Sequence, residues 1–167
     1  NNYDLKKLIH VFSKYGEIRN SIQLANSIVK IRSKKKIKTS IDLIKIIRPF
    51  TKKNKENRYY AQVFQALRIE INDEINALKD LLKQSPISLN KKGRLVIISY
   101  HSLEDRLVKN FINKGNLIGE SEKDIYGNEI KFFKSINKKP IRPSLVEINN
   151  NPRARSAKLR IGELIWN

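Results

Sequence analysis

Apolar residues recur at helical spacing through the first half of the chain. Leu5, Leu8, Ile9 and Phe12 fall at i, i+3, i+4 and i+7, a one-faced stripe that the turn at Tyr15-Gly16 ends. A second stripe of Ile18, Ile22, Ala25 and Val29, widened by Leu24, Ile28 and Ile31, runs to the basic stretch Ser33 to Lys36. Thr39 with Asp42 three residues on matches a capping box, and it opens a short helix through Ile41, Ile44 and Ile47 that Pro49 closes. Three short helices with narrow stripes predict a small bundle. Thr51 to Arg58 has the composition of a linker. Beyond it Phe64, Leu67, Ile71, Ile75, Leu78 and Leu82 step by three or four, predicting one long helix that ends in a loop around Pro86.

The period then changes. Arg94 to Tyr100 is a short, nearly continuous apolar run entered through Lys92-Gly93, and such a run reads as a strand buried on both faces. Ser102-Leu103-Glu104-Asp105 is a second capping-box pattern, continued as a helix by Leu103, Leu107, Val108 and Phe111. Helix, buried strand and helix in direct succession predict an α/β class with a parallel, layered sheet. Asn113 to Asn128 is polar, contains Gly and is expected to be mobile. Ile130 to Ile136 and Leu159 to Ile165 are candidate strands, with Pro140 and Pro143 punctuating the connection.

Composition narrows the function classes. The 167 residues include 35 Lys plus Arg against 16 Asp plus Glu, no Cys and no Met. Without Cys there is no disulfide framework and no thiolate metal site. Without Met, translation did not start within these residues, so the expectation is a piece of something longer or a processed chain. No run approaches the ~18 apolar residues of a membrane span, and a soluble, cytoplasmic protein is expected. The net charge of +19 draws the chain to a polyanion, with nucleic acid the leading partner. Heavy use of Lys, Asn and Ile together explains part of that charge, so the charge alone does not establish RNA binding.

Few residues carry candidate chemistry. His10, beside Ile9 and Val11, reads as a surface or packing residue, and two His support no His-based metal centre. Ser99-Tyr100-His101-Ser102 follows the apolar run, and ligands of open α/β sheets bind at the carboxyl ends of strands. The plainer reading makes Ser102 a helix cap and His101 a turn residue. One candidate His argues no Ser/His/Asp triad. Neither G-x-G-x-x-G nor G-x-x-x-x-G-K-S/T occurs, so no Gly-rich nucleotide cradle is built within these residues. Glu70 and Glu74 share a helical face at i, i+4 and repel by a few tenths of a kcal/mol unless a cation intervenes, with Arg68 on another face. Arg153 and Arg155 sit on a Pro-started loop where guanidinium forks can grip phosphate. Lys158 and Arg160, alternating with Leu159 and Ile161, read as the solvated face of a half-buried strand.

Four ordered blocks carry a resemblance. They are Phe64 to Asn72 (FQALRIEIN), Gly93 to Arg106 (GRLVIISYHSLEDR), Lys138 to Ile141 (KKPI) and Asn151 to Arg160 (NPRARSAKLR). Together, and with Tyr15-Gly16-Glu17 and Ile37-Lys38-Thr39, they resemble the bacterial 16S ribosomal-RNA cytosine-N4 methyltransferases over essentially the whole chain. Tyr100 stands where that family usually has Phe. The resemblance implies an S-adenosylmethionine-dependent enzyme of the class I, Rossmann-like fold, of which this chain is the C-terminal half plus an all-α helical insert. The insert is expected at 1–57, where it helps hold RNA. The C-terminal part of the methyltransferase domain is expected at 58–167, with 94–100 as strand five and 130–136 and 159–165 as the closing antiparallel pair. The cofactor-binding segments are expected upstream of residue 1, and the chain alone is expected to be inactive. Tyr100, His101, Ser102, Arg153 and Arg155 are the RNA-contact candidates, no catalytic residue is assigned, and the expected partner is 16S RNA or the small ribosomal subunit, with a homodimer left open. A different class, a basic RNA-binding module or truncated remnant without catalysis, is the alternative. A membrane-surface protein is disfavoured because no helix combines a Trp/Phe-rich face with a clustered basic one.

Overall fold

The structure is a computed structural model, and it describes residues 1–165. Trp166 and Asn167, the last two residues of the expected 58–167 domain, lie outside the described residues. The chain forms two compact units, Asn1–Glu74 and Ile75–Asn167.

The first unit is helical: α1 (Leu5–Lys14), α2 (Ser21–Arg32), α3 (Ser40–Ile47), a 3-10 turn at Arg48–Phe50, and α4 (Glu56–Asn72). Asp4 starts α1 by accepting the Lys7 N–H at 2.7 Å. The Thr39/Asp42 capping box forms as the sequence predicts, with Thr39 Oγ1 accepting from Asp42 N and Asp42 Oδ2 from Thr39 N, each at 3.1 Å. Leu8, Val11 and Phe12 from α1, Leu24 and Ile28 from α2, Ile47 from α3 and Val63 and Ala66 from α4 close one core. Full burial of a Leu, Ile or Phe stabilises by roughly 1.5–3 kcal/mol each, so this core holds the short helices that propensity alone would not. Because α4 supplies two core positions, the compact unit runs past residue 57.

The single long helix of the periodicity is two helices. α4 ends at Asp73, which adopts a left-handed conformation (φ 51°) and returns its N–H to the Ile69 carbonyl. α5 (Glu74–Ser88) begins at the next residue. The break separates the two helices, and within α4 the buried face is Val63, Ala66 and Ile69 rather than the expected Phe64, Leu67 and Ile71, the last of which is exposed. It also lets Arg68 Nε reach Glu74 at 2.9 Å, while Glu70 takes the Tyr3 hydroxyl at 3.0 Å and lies 3.6 Å from Lys7 Nζ. Cations thus intervene at both Glu70 and Glu74, the condition under which no repulsion is expected, while the placing of Arg68 away from Glu74 is corrected.

Pro86 does not end α5, which continues to Ser88. Proline has no N–H for the carbonyl four residues back. The Ser85 hydroxyl supplies the missing donor, meeting the Leu82 oxygen at 2.7 Å.

The second unit continues with β1 (Arg94–Ser99), α6 (Ser102–Lys114), β2 (Phe133–Ser135), α7 (Leu145–Asn150), a 3-10 turn at Pro152–Ser156, and β3 (Lys158–Leu164). The strands form one sheet in the order β1-β3-β2, and β3 pairs antiparallel with both neighbours. The expected parallel pairing is corrected: β1 and β2 run the same way, but β3, the last made, lies between them in reverse. α6 packs on the sheet, with Val108, Phe111 and Ile112 meeting Phe133 and Leu164. β1 is covered on one face only. Leu95 and Ile97 pack towards this core, whereas Val96 and Ile98 on the other face are each 53% exposed, which corrects the expectation of burial on both faces. Of the strand expected at 130–136, Phe133–Ser135 forms β2, with flanking backbone bonds from Ile136 N–H to the Ile161 carbonyl and from Ile165 N–H to the Phe132 carbonyl, and Ile130 and Ile136 are exposed. The polar stretch expected to be mobile is a loop tied by side-chain amides, Asn110 donating to the carbonyls of Leu117 and Ile118 and Asn116 to that of Glu120.

Candidate functional site

The register of β1 on β3 builds the site. Ser99 at the end of β1 lies opposite Lys158 at the start of β3, and its hydroxyl donates to the Lys158 carbonyl at 3.4 Å. An antiparallel neighbour necessarily begins where β1 ends, so the Pro152–Ser156 turn is delivered to the edge from which Tyr100, His101 and Ser102 emerge. A third segment arrives through an isolated bridge in which Ile141 and Leu159 exchange N–H···O bonds of 2.9 Å each, and it brings Arg142. The three segments enclose a cavity of about 350 Å³.

Four of the five sequence-predicted residues converge there: Tyr100, His101, Ser102 and Arg155 line the cavity together with Arg142, Ser156 and Lys158. Arg153 does not. It is exposed on the same turn, its N–H accepted by Asn151 Oδ1 at 3.3 Å, and its side chain is outside the lining. The turn rotates successive side chains apart, so only one of the two arginines faces inward.

His101 has a different local role from the one its sequence position suggests. It, rather than Ser102, is the N-cap of α6: Nδ1 accepts the Glu104 N–H at 3.4 Å, and Glu104 Oε2 accepts the N–H groups of Tyr100 at 2.9 Å and His101 at 3.3 Å. The capping box is thus His101 with Glu104, one residue earlier than the Ser102/Asp105 spacing predicts. Accepting at Nδ1 places the proton of a neutral imidazole on Nε2. That atom is buried and stands 3.2 Å from Glu104 Oε1 without the alignment of a hydrogen bond. Burial opposes ionisation of Glu104, but the His101 ring and the Tyr100 and His101 N–H groups outweigh it and hold the carboxyl below its usual range. The His101 side chain is 6% exposed and held from two sides, whereas Tyr100 beside it is open to solvent.

Lys158 and Arg160 are not a solvated face. Asp105, one turn into α6, accepts Arg160 Nε at 2.7 Å and Nη2 at 3.3 Å and Lys158 Nζ at 3.1 Å. Burial pushes the Asp105 carboxyl up, but the two cations overcome it and leave it below the normal value. The alternation of the strand pattern cannot show this, because the carboxylate comes from a helix 53 residues earlier than Lys158. Arg142 was also not singled out by sequence; the Lys138 to Ile141 block that precedes it is the signal that points to its segment.

Chemically the cavity offers two guanidinium groups, a partly neutralised ammonium, two serines and an exposed phenol ring. Among the described residues Arg142 and Arg155 have no carboxylate partner. Guanidinium groups of this kind pair with phosphate oxygens, and an exposed phenol ring with a flat ring. The cavity does not fit S-adenosylmethionine, the cofactor that the sequence resemblance implies. That molecule carries a sulfonium cation, and the cavity lining presents three cations and no carboxylate.

Comparison with known proteins supplies the context. Residues 1–165 match the MraW methylase family. The chain is 52% identical over 165 residues to the ribosomal RNA small subunit methyltransferase H of Parabacteroides distasonis, covering 99% of this chain and 54% of that protein. It is 53% identical over 163 residues to the protein of the same name from Cytophaga hutchinsonii (98% and 54%), and 47% over 163 residues to that of Bacteroides thetaiotaomicron (98% and 54%). The chain spans about half the length of the curated relatives it matches.

Proposed function

This chain belongs to the MraW methylase family, and from that premise we propose that it is the C-terminal half of a class I, Rossmann-like methyltransferase that modifies the N4 amine of a cytosine in 16S ribosomal RNA. The observation that carries the proposal is the convergence of Tyr100, His101 and Ser102 with Arg142 and Arg155 at the carboxyl end of β1. In this reading β1, β2 and β3 are the fifth, sixth and seventh strands. Residues 1–57 are the helical insert that holds RNA, and 58–167 complete the methyltransferase domain.

Two further observations support it. The relatives are about twice as long as this chain. β1 is an edge strand with Val96 and Ile98 uncovered, the surface that a missing half of a sheet would extend and cover. In this reading residues outside this chain would hold S-adenosylmethionine, which would supply the methyl group.

The chain's own residues perform positioning. A cytosine amine is a poor nucleophile because its lone pair is delocalised into the ring, so rate depends on holding it in line. Arg142 and Arg155 hold the flanking phosphates and fix the register of the strand. Tyr100 stacks on a base, and base–aromatic stacking is worth about 1–3 kcal/mol. His101, locked by Glu104, presents a fixed wall that limits how the base turns.

The test joins the part of the Parabacteroides distasonis relative outside the match to this chain. The chimera is assayed for labelled methyl transfer to unmethylated small subunits. Transfer to a cytosine N4, falling at least tenfold in R142Q/R155Q, is expected. A folded chimera that binds S-adenosylmethionine and RNA yet transfers nothing would favour the second reading, a basic RNA-binding module without catalysis, which the poor fit of the cavity to the cofactor favours.

A further inference from the structure

We propose that the first unit carries a separate binding site for two or three nucleotides of unpaired RNA, in the cleft between the start of α2 and the start of α4. The proposal rests on the reading of the chain as part of an RNA-modifying enzyme and adds the place and the ligand chemistry.

The cleft measures about 800 Å³, more than twice the cavity beside β1. Arg19, Lys52, Lys55 and Arg58 line it, and Phe50 and Tyr59 form part of its wall. All four cations are exposed, and among the described residues none has a carboxylate partner. Glu17 is the only carboxylate in the lining. Four unneutralised cations around one concavity are costly to assemble by mutual repulsion and favour a polyanion.

Helix geometry adds to the positive field. Asn20 and Lys55 are the N-caps of α2 and α4, both line the cleft, and neither side chain caps its helix. The Asn20 side chain is used otherwise, its Oδ1 accepting the Tyr59 hydroxyl at 3.0 Å. The positive ends of two long helices therefore stand at the same cleft as the cations.

The aromatic pair decides what kind of polyanion fits. A duplex presents phosphates but hides its base faces, so it gains nothing from Phe50 or Tyr59. An unpaired stretch offers both phosphates and flat rings, and stacking tolerates any base. Both rings are partly buried against the core of the unit while lining the cleft, and the Tyr59 hydroxyl is tied to Asn20, so little rotamer freedom is lost on binding.

The test measures fluorescence anisotropy of the 167-residue chain with a labelled 12-nucleotide single-stranded RNA and with a hairpin of the same composition. Two variants, K55Q/R58Q in the cleft and R142Q/R155Q in the cavity, change exposed side chains, and circular dichroism checks their folding. K55Q/R58Q is expected to weaken single-strand binding at least fivefold and to reduce the salt slope by about 1.4, two contacts at about 0.7 each. Ultraviolet crosslinks from 4-thiouridine are expected at Phe50 or Tyr59. Unchanged single-strand affinity in K55Q/R58Q together with a loss in R142Q/R155Q overturns the cleft and leaves the proposed function standing. The opposite pattern overturns the cavity and supports the cleft. An equal loss for the hairpin, or crosslinks confined to residues 75–165, overturns the preference for unpaired RNA.

Discussion

Replacing Asp105 with Ala removes the one carboxylate shared by Arg160 and Lys158. The Asp105 and Arg160 side chains are 13% and 9% exposed, and the guanidinium is gripped through two of its nitrogens. Breaking a buried pair by removing one partner costs about 3–5 kcal/mol, because the remaining charge is left in a poorly solvated place. Lys158 is more open and can turn to water, so the lower end of that range, about 3 kcal/mol, applies here. With a urea dependence of roughly 1.5 kcal/mol per molar, the unfolding midpoint of the second unit falls by about 2 M. Circular dichroism with hydrogen exchange at the β3 amides reads that unit specifically. Replacing Arg160 with Met as well removes the stranded charge, so D105A/R160M is expected to be more stable than D105A. The pair also sets a pH dependence. Asp105 is depressed below its ordinary value of 3.8, so its stabilisation is full above about pH 4 and fades as pH falls through the folded-state value. D105A loses that acid slope. A midpoint shift under 0.5 M, or a double variant no better than the single, would refute the claim that a charge is buried against the sheet.

Three further outcomes follow from particular residues. Replacing Ser85 with Ala leaves the Leu82 carbonyl without a donor opposite Pro86 and is expected to cost about 1–2 kcal/mol in urea unfolding; restoring an N–H with P86A in the same chain should recover most of it. Gly115 ends α6 at φ 75°, and an added Cβ would sit 2.6 Å from the Ile130 oxygen, so G115A should lower the melting temperature by an amount equivalent to more than about 1 kcal/mol, whereas G127A, where nothing lies within 4 Å, should cost less. Calorimetric titration of the 167-residue chain with S-adenosylmethionine should show no saturable heat, and tight binding would show that the methyl-donor pocket has been misplaced.

Local signals were legible where one residue's side chain answers its own backbone. The Thr39/Asp42 box marks a helix start that the structure reproduces, and the apolar run from Arg94 is a strand. The breaks were not. A left-handed Asp73 interrupts a stripe whose spacing of three and four continues through it, and a serine hydroxyl carries a helix past a proline. At the site, the placement of Tyr100, His101 and Ser102 after the strand could be read from order along the chain. The arrival of Arg142 and the neutralisation of Lys158 depend on pairings between distant segments, and periodicity holds no information about those. The outward turn of Arg153 depends on the pitch of a five-residue 3-10 segment, finer than any pattern of residue types.

The strand order has a consequence for synthesis. Among the described residues β3 is the hydrogen-bonded neighbour of both β1 and β2, so these two strands are joined to each other only once Lys158 to Leu164 has been made. A stop codon before Lys158 leaves them unzipped and removes Leu164 from the core around Phe133. Loss of β2 alone would still leave a hairpin-like pair. The seven residues from Lys158 to Leu164 are thus the latch of the second unit.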